Sequence, residues 1–511
     1  MPDNLRIQSA CKILCLVLLA FAACANRALA QKFTILHTFN GSDGNRPTGP
    51  LVQGLDGRFY GTTLYGGGGS CPFEGNPGCG TIFKAGRDGL FRTLYHFCAT
   101  TPCPERYVPN PLFEGTFGVL YGTTRGSGPG RAGSVFKFTP GEATLYDFCT
   151  KTPCSDGALP WAGVVRGEDG DFYGTTVEGG VYAVDSIGLG TIFKLTPRGA
   201  ETVLHDFVGW NGIDGANDGA YPFGGLILAS DGNFYGTSAG FPGYPHTYPS
   251  TVFKITPAGT YTLLASLTQA DLYSSAEAPL VEGKDGNFYG TSYSGNLVNG
   301  SSCGYGCGYI FKVTPAGVLT ILYDFCSQTN CADGGLPSTG LIQATDGNFY
   351  GTASSSGKVG ANGGTIFRIT PSGSFTVLHT FNDQELTNPQ ALLQATDGAL
   401  YGVTATGGAQ GDGTIFRLDV GLPPFVHPVL VFGEVGNWVT ILGTNLTGAT
   451  AVSFNGTAAA FKVWSASEIA TKVPAGATTG KITVTTPDGT LSSDVVFRVI
   501  SCKQTGGTSE N

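Results

Sequence analysis

From Phe33 onward the chain is a succession of short apolar or alternating runs, each closed by a turn rich in Gly, Asp or Pro. Alternation of apolar and polar positions over roughly four to eight residues predicts a strand with one covered face. Phe33-Thr34-Ile35-Leu36-His37-Thr38-Phe39 shows it first, and relatives end at Phe97, Phe148, Phe207, Phe325 and Phe381, with a weaker copy at Leu263 to Leu267. A second run recurs as Thr-Ile-Phe-Lys at Thr81, with copies at Ser134, Thr191, Thr251, Tyr309, Thr365 and Thr414. A third is the polar turn and aromatic strand DGNFYGTS at Asp231, with versions at Asp56, Asp169, Asp285, Asp346 and Asp397 and a seventh, FGVLYGTT, at Phe117. A short apolar run such as Pro50-Leu51-Val52-Gln53 precedes each Asp-Gly turn.

The tyrosines of the aromatic strand stand at 60, 121, 173, 235, 289, 350 and 401, a spacing of 51 to 62 residues. Each period supplies four strand candidates in fixed order, joined by an Asp-Gly hairpin, a variable Gly-rich loop and a Thr-Pro-x-Gly turn. Four antiparallel strands repeated seven times predict a seven-bladed β-propeller. The last period, Ala391 to Asp419, lacks its fourth strand, and a strand of that type sits alone at Phe33 to Phe39. Pairing the two would close the ring and remove an open edge. After the Pro-rich joint 421–428 the Tyr-Gly-Thr phrase disappears, and alternating segments such as Trp438 to Leu442 and Lys481 to Thr485 predict a small immunoglobulin-like β-sandwich over 426–500. The fold class is therefore all-β, a propeller over 31–420 followed by a sandwich, with a polar, disordered tail at 501–511.

Composition sharpens this picture in three ways. Eighty Gly and 33 Phe with 13% charged residues suit short strands and tight turns rather than long helices. Arg6 and Lys12 lead an apolar run, Ile13 to Ala23, and Ala28-Leu29-Ala30 offers a cleavage site, so residues 1–30 are read as a secretory signal. A lipoprotein signal ending at Cys24 is the rival, with Phe21 a poor match to it. The formal charge is −9, and removing a +2 leader leaves about −11, which argues against nucleic acid or an anionic membrane as partner. No later segment resembles a transmembrane helix, and the expected location is secreted or extracytoplasmic, in the periplasm or at the cell surface. The cysteines agree: Cys71/Cys79, Cys98/Cys103, Cys149/Cys154, Cys303/Cys307 and Cys326/Cys331 are short-range pairs that read as local disulfides, leaving Cys502 over. Zinc is the alternative, but no His lies in those segments.

Two resemblances attach to these residues. The segment carrying Val439-Thr440-Ile441, Gly443, Asn445-Leu446, Val452, Phe454-Asn455-Gly456, Val473-Pro474-Ala475-Gly476 and Ile482 to Thr486 resembles an IPT/TIG domain, which implies a spacer or protein-contact module. The repeats, with DGNFYGT followed by GTIFKITP-G, resemble the bacterial choice-of-anchor tandem-repeat GloVer-containing proteins, which implies export and repetition rather than a mechanism. Members of that group commonly carry a surface-sorting signal, and no apolar anchor stands in the polar segment after Val499.

The repeated tyrosines read as inter-blade wedges whose hydroxyls find backbone partners, and the Asp-Gly aspartates as turn formers. His37, His205 and His379 share a slot with Tyr95, Tyr146 and Tyr323, so they read as packing choices. The loop face carries the length variation, the cysteine pairs and an acidic residue four before proline at Asp43, Glu105, Asp156, Asp218, Asp333 and Glu385. Two readings stay open. The acids can cap a turn, or they can form an acidic ring with Trp161, Trp210 and Tyr221 as stacking surfaces for a sugar or cationic peptide. The second makes Asp43, Asp156, Trp161, Trp210, Asp218, Tyr221 and Asp333 the candidate ligand residues. Asn211 to Asp218 could cradle Ca²⁺ but lacks EF-hand spacing, so no cofactor and no metal are expected. Glu114 and Glu282, three before their turns, lie in blades two and five, too far apart for the roughly 5–9.5 Å of a glycosidase pair. No nucleophile elbow, zinc motif or phosphate loop occurs. The expected function is an exported non-catalytic binding or surface-interaction protein with a glycan or protein ligand. The alternatives are a secreted carbohydrate-active hydrolase or lyase using loop acids, or a structural envelope component.

Overall fold

A computed structural model describes residues 31–69, 78–98, 106–115, 118–127, 132–139, 141–182, 188–209, 218–239, 249–267, 275–295, 303, 306–355, 363–381 and 387–500. The leader 1–30 with Cys24 and the tail with Cys502 lie outside these residues. No α-helix occurs among the described residues. Blade 3 is representative, with Val165–Arg166 innermost, then Phe172–Thr176, Thr191–Leu195 and Glu201–Asp206. Six sheets of this order span 45–96, 106–147, 165–206, 227–266, 281–324 and 342–380, the second with its inner strand in two pieces, Arg106–Pro109 and Phe113–Glu114. The seventh joins Pro389–Gln394, Leu400–Thr404 and Thr414–Asp419 to the amino-terminal strand Lys32–Thr38, which pairs antiparallel with Phe33 opposite Leu418. The molecule is a closed seven-bladed propeller.

The Phe-Tyr-Gly-Thr strand holds the blades to one another. Tyr173 stacks on Phe234 of the next blade at 4.0 Å, Tyr235 on Phe288 at 3.9 Å and Tyr289 on Phe349 at 4.0 Å. Tyr401 of the last blade meets Phe59 of the first at 4.1 Å, so the chain of wedges returns to its start. Leu120 and Leu400 replace the phenylalanine beside Tyr60 and Tyr350. The glycine after each tyrosine is required, since a Cβ on Gly174 would stand 2.5 Å from Phe193. The next threonine donates across the same seam, Thr175 Oγ1 to Pro222 O at 3.0 Å and Thr237 Oγ1 to Ala278 O at 3.0 Å.

The tyrosine hydroxyl does not find a backbone partner. It donates to the turn aspartate of its own hairpin, as Tyr173 to Asp169 at 2.7 Å and Tyr289 to Asp285 at 2.8 Å. The lysine of the third strand converges on that carboxylate, Lys194 on Asp169 at 2.7 Å and Lys254 on Asp231 at 2.8 Å. Burial opposes ionisation of Asp231, but Lys254, Asn233 and Tyr235 outweigh it and hold the carboxyl down to about 2.

On this turn face a second seam bond uses the slot three before the aspartate. Gln53 Oε1 accepts from Thr396 N at 2.9 Å, Glu114 Oε1 from Leu55 N at 3.1 Å, Glu282 Oε2 from Ser230 N at 2.8 Å, Gln343 Oε1 from Lys284 N at 2.8 Å and Gln394 Oε1 from Thr345 N at 2.9 Å. Each is a bond to the preceding blade around the ring. Leu228 cannot accept one, and Arg498 of the second domain serves that seam instead. Its Nη2 lies 2.9 Å from Glu168 of blade 3, and its Nη1 donates to Ala229 O and Ser230 O of blade 4 at 3.0 and 2.8 Å.

The second domain is a sandwich of two four-stranded sheets, one built around Trp438–Leu442 and Glu468–Lys472, the other around Ala451–Phe454 and Ile482–Thr486. Val439, Ile441, Val452, Phe454, Ile469 and Val484 fill its core. Besides Arg498, it rests on blades 1 and 7 through Ser467 Oγ to Leu55 O at 2.8 Å and Thr444 against Thr396 at 2.8 Å. Contacts to blades 1 and 7 on one side and blades 3 and 4 on the other place it across the turn-face end of the propeller axis.

Candidate functional site

Among its described residues the loop face carries a chemically mixed set of side chains. Trp161, Phe223 and Glu277 each stand three residues before the apolar residue that leads into an innermost strand, Val164, Leu226 and Leu280, in blades 3, 4 and 5. Equivalent positions in successive blades form an arc around the central opening. Trp161 and Phe223 meet edge to face at 5.1 Å, and the Arg125 guanidinium lies 3.5 Å over the indole. Arg125 also donates to Asn110 Oδ1 at 2.8 Å, which fixes it in the wall. Burial pushes the guanidinium down to about 10. Glu277 is open to solvent yet flanked closely enough that desolvation raises its carboxyl, against a hydrogen bond from Ser275 at 2.7 Å. Trp161 keeps 37% of its surface exposed. An indole with a buried cation against it, and a carboxyl at the equivalent position two blades on, can stack on a ring and hydrogen-bond its substituents.

The loop acids have a different place. Asp156 and Asp333 are 0% exposed. Asp156 accepts from Tyr146 Oη at 2.7 Å, Thr150 N at 2.9 Å and Thr150 Oγ1 at 2.8 Å. Asp333 repeats the pattern with Tyr323 Oη at 2.8 Å and Ser327 N at 3.0 Å. Asp43 accepts from Asn40 N at 3.0 Å and meets His37 Nε2 at 3.0 Å, and Asp218 accepts from Gly209 N at 2.9 Å and meets His205 Nε2 at 2.9 Å. Each acid thus reaches back to fasten the loop that follows its blade's fourth strand. The shared His/Tyr slot has a reason beyond packing, because both side chains can donate to this acid. Both also stack on the next blade, His205 on Tyr261 at 4.0 Å and Tyr323 on Phe375 at 3.9 Å.

Replacing Asp333 by Asn should therefore weaken the fold. One carboxylate oxygen becomes an amide donor facing other donors, a loss of about 1–3 kcal/mol for a buried unsatisfied group. A lowered denaturation midpoint with faster proteolytic nicking near 326–333 is the expected result. An unchanged midpoint would show that the carboxylate is not an anchor.

Of the remaining candidates, Tyr221 has a left-handed φ of 54° and packs half-buried against the core cluster that includes Leu189 and Phe207, while Trp210 lies outside the described residues. So do Asn211 to Asn217, the rest of the possible Ca²⁺ segment. Disulfides join Cys149 to Cys154, Cys303 to Cys307 and Cys326 to Cys331. Cys79 and Cys98 are disulfide-bonded as well, and Cys71 and Cys103 lie outside the described residues. Sequence reasoning missed Arg125, Phe223 and Glu277. Alignment of the blades three residues before the inner strand, rather than four residues before proline, is the signal that would have found the last two.

The turn face holds a cavity of about 260 Å³ between the propeller and the second domain, lined among others by Glu114, His427 and Asp494. His427 Nδ1 lies 2.9 Å from Asp494 Oδ2. Burial pushes Glu114 up to about 8, with Asp56 and Glu468 adding to the rise and Leu55 N and His427 opposing it. The region was read as a spacer from sequence, and only the docking of the two domains assembles these groups.

The propeller residues match the model of the Gloeobacter/Verrucomicrobia repeat over 69–301 and 244–423, and residues 424–499 match the IPT/TIG domain. No curated protein matches. Among solved structures, a fungal alcohol oxidase of the AA5 family in complex with copper is 11% identical, with TM-score 0.43, over 92% of this chain and 99% of that one. A putative 6-phosphogluconolactonase from Bacteroides uniformis is 15% identical, with TM-score 0.40, over 66% of this chain and 89% of that one. Likeness at that level carries no conclusion about activity. The repeat and the TIG domain suggest a surface or binding protein, and the disulfides fit an extracellular one, with no described helix long and apolar enough to cross a membrane. With the repeat model covering most of the chain, this protein belongs to the Gloeobacter/Verrucomicrobia repeat family and carries a carboxy-terminal IPT/TIG domain.

Proposed function

We propose that the protein is an exported, non-catalytic binding protein that holds a glycan on the loop face of the propeller. The observation that carries this reading is the arc of Trp161, Phe223 and Glu277 at the rim of the opening, with Arg125 over the indole at 3.5 Å. A sugar ring offers an apolar C–H face to the exposed indole and hydroxyls to Glu277 and the rim carbonyls. The carboxylate-fastened and disulfide-closed loops support it by holding that rim still, which lowers the entropy lost on binding. A hydrolase or lyase working through the loop acids has less behind it, because the oxygens of Asp156 and Asp333 are taken by their own loops. Secretion or retention outside the cytoplasm follows from the same reading.

A glycan array probed with the purified chain tests it. Binding to one glycan class that falls at least tenfold in Trp161→Ala, with an unchanged denaturation midpoint, is the expected result. Turnover of a bound polysaccharide, or glycan binding indifferent to Trp161→Ala, would overturn it.

A further inference from the structure

Arg125 on the loop face is a cation without a counter-ion among the described residues. It follows Tyr121-Gly122-Thr123-Thr124, and the other six blades hold Leu64, Val177, Ala239, Tyr293, Ser354 or Ala405 at that position. Only blade 2 brings a charge to it. The guanidinium makes one hydrogen bond, from Nε to Asn110 Oδ1 at 2.8 Å. Asn110 is 0% exposed and gives its amide hydrogens to Thr123 Oγ1 and Pro160 O, so the direction of its oxygen is fixed. Trp161 covers one face of the guanidinium at 3.5 Å. Nη1 and Nη2 have no hydrogen-bond or ion-pair partner among the described residues, and both stay open to solvent.

The loop acids leave this charge uncancelled. Asp156 and Asp333 are enclosed by their own loops, and Asp43 and Asp218 are bonded to His37 and His205. Glu277 stands two blades on from Trp161, with Ser275 bonded to it. The charge beside Trp161 is thus opposite in sign to the chain as a whole, whose formal charge is −9. Distant exposed charges are screened beyond about 8–10 Å at physiological salt, so the group next to the ligand decides. A ring stacked on Trp161 displaces water from the guanidinium 3.5 Å away. A cation stripped of water is costly unless a counter-ion takes the water's place, and neutral hydroxyls meet that need only in part. The open end of the guanidinium offers parallel N–H bonds that match two oxygens of a carboxylate or sulfate.

We propose that the glycan held at the loop face is acidic, its ring carrying a carboxylate or sulfate that pairs with Arg125 Nη1 and Nη2. This rests on the glycan reading above and adds the charge of the ligand to it.

The test is an array of trisaccharides in gluco, galacto and manno configuration, each as the neutral hexose, the uronate and the 6-sulfate, probed with the purified chain. Calorimetry then follows the configuration that binds. Its uronate or its sulfate is expected to bind at least tenfold more tightly than the neutral sugar at about 50 mM NaCl, and the preference should narrow at about 500 mM. The two acidic arms tell a carboxylate ligand from a sulfate. Arg125→Leu should erase the preference, and blade 1 holds leucine at this position as Leu64. Arg125→Lys, which keeps the charge and loses the fork, should retain a smaller, salt-sensitive preference. An arginine that only braced Trp161 would lower the denaturation midpoint on replacement and leave the ratio of acidic to neutral affinity where it was. A neutral trisaccharide bound as tightly as its acidic partners would overturn the proposal and leave the glycan reading standing. A preference that survives Arg125→Leu, or a triglutamate peptide bound as tightly as the uronate, would overturn it as well. Absence of binding to every glycan would overturn both readings.

Discussion

Glu114→Gln is expected to stabilise the protein in a pH-dependent way, with no gain at pH 4.5 and a melting midpoint higher by on the order of 3–5 °C at pH 8. Glutamine fills the equivalent slot at Gln53, Gln343 and Gln394 and accepts the same seam bond from a backbone N–H. The carboxyl of Glu114 is raised to about 8 by burial, with Asp56 and Glu468 contributing, so the folded state holds its proton where the unfolded chain has released it. The sign follows from linkage. A group whose folded pKa lies above its unfolded value contributes stability fully present below the unfolded pKa and lost as pH rises toward the folded one. The window is therefore about pH 4.5 to 8. At about 1.4 kcal/mol per pH unit the loss reaches on the order of 3 kcal/mol near pH 7, which a neutral amide avoids. Denaturation midpoints of the two proteins from pH 4 to 9 are the measurement. Parallel curves with a constant offset would mean that Glu114 ionises normally in the folded state.

Removal of residues 31–40 is expected to destroy the cooperative fold. The strand Lys32–Thr38 supplies the only partner that the outer edge of Thr414–Asp419 has among the described residues. It also buries aromatic surface. Phe39 is fully covered, and Phe33 stacks on His379 at 4.0 Å and packs against Phe381 and Phe416. Loss of these side chains and of the ladder amounts to roughly 5–10 kcal/mol, comparable with the whole net stability of a domain. The edge left behind is an open template for a second chain. Size-exclusion chromatography should show aggregate, and near-ultraviolet dichroism should be lost. A monomer melting at the native midpoint would mean that the ring does not depend on this closure.

Most of the architecture was legible because each blade restates it. Asp-Gly turns, Tyr-Gly-Thr strands and the stray strand at Phe33 give the number of blades, their order and the way the ring closes, and alternation near Trp438 marks the second fold. The roles of repeated side chains were only half legible. A tyrosine between blades could be foreseen, but its bond to Asp169 or Asp285 could not, since that partner is fixed by how a hairpin twists. The acid before proline was noticed as a pattern, yet burial of Asp156 and Asp333 depends on a loop folding back over it.

By itself, then, the sequence determined the features that are local and repeated, which are period, turn chemistry, strand order and the exchange that closes the ring. Local rules suffice for period, turns and strand order because each involves neighbours within one hairpin. The closing exchange pairs Phe33 with Leu418, yet it follows from the repeat because one fourth strand is missing at the end and one is left over at the start. Only the tertiary structure decided which side chains meet across blades and domains. Trp161 against Phe223 and Arg125, Arg498 at the seam left open by Leu228, and Glu114 facing the domain of His427 join residues tens to hundreds of positions apart. Their chemistry comes from burial and juxtaposition, and neither is a property of any stretch of chain taken alone.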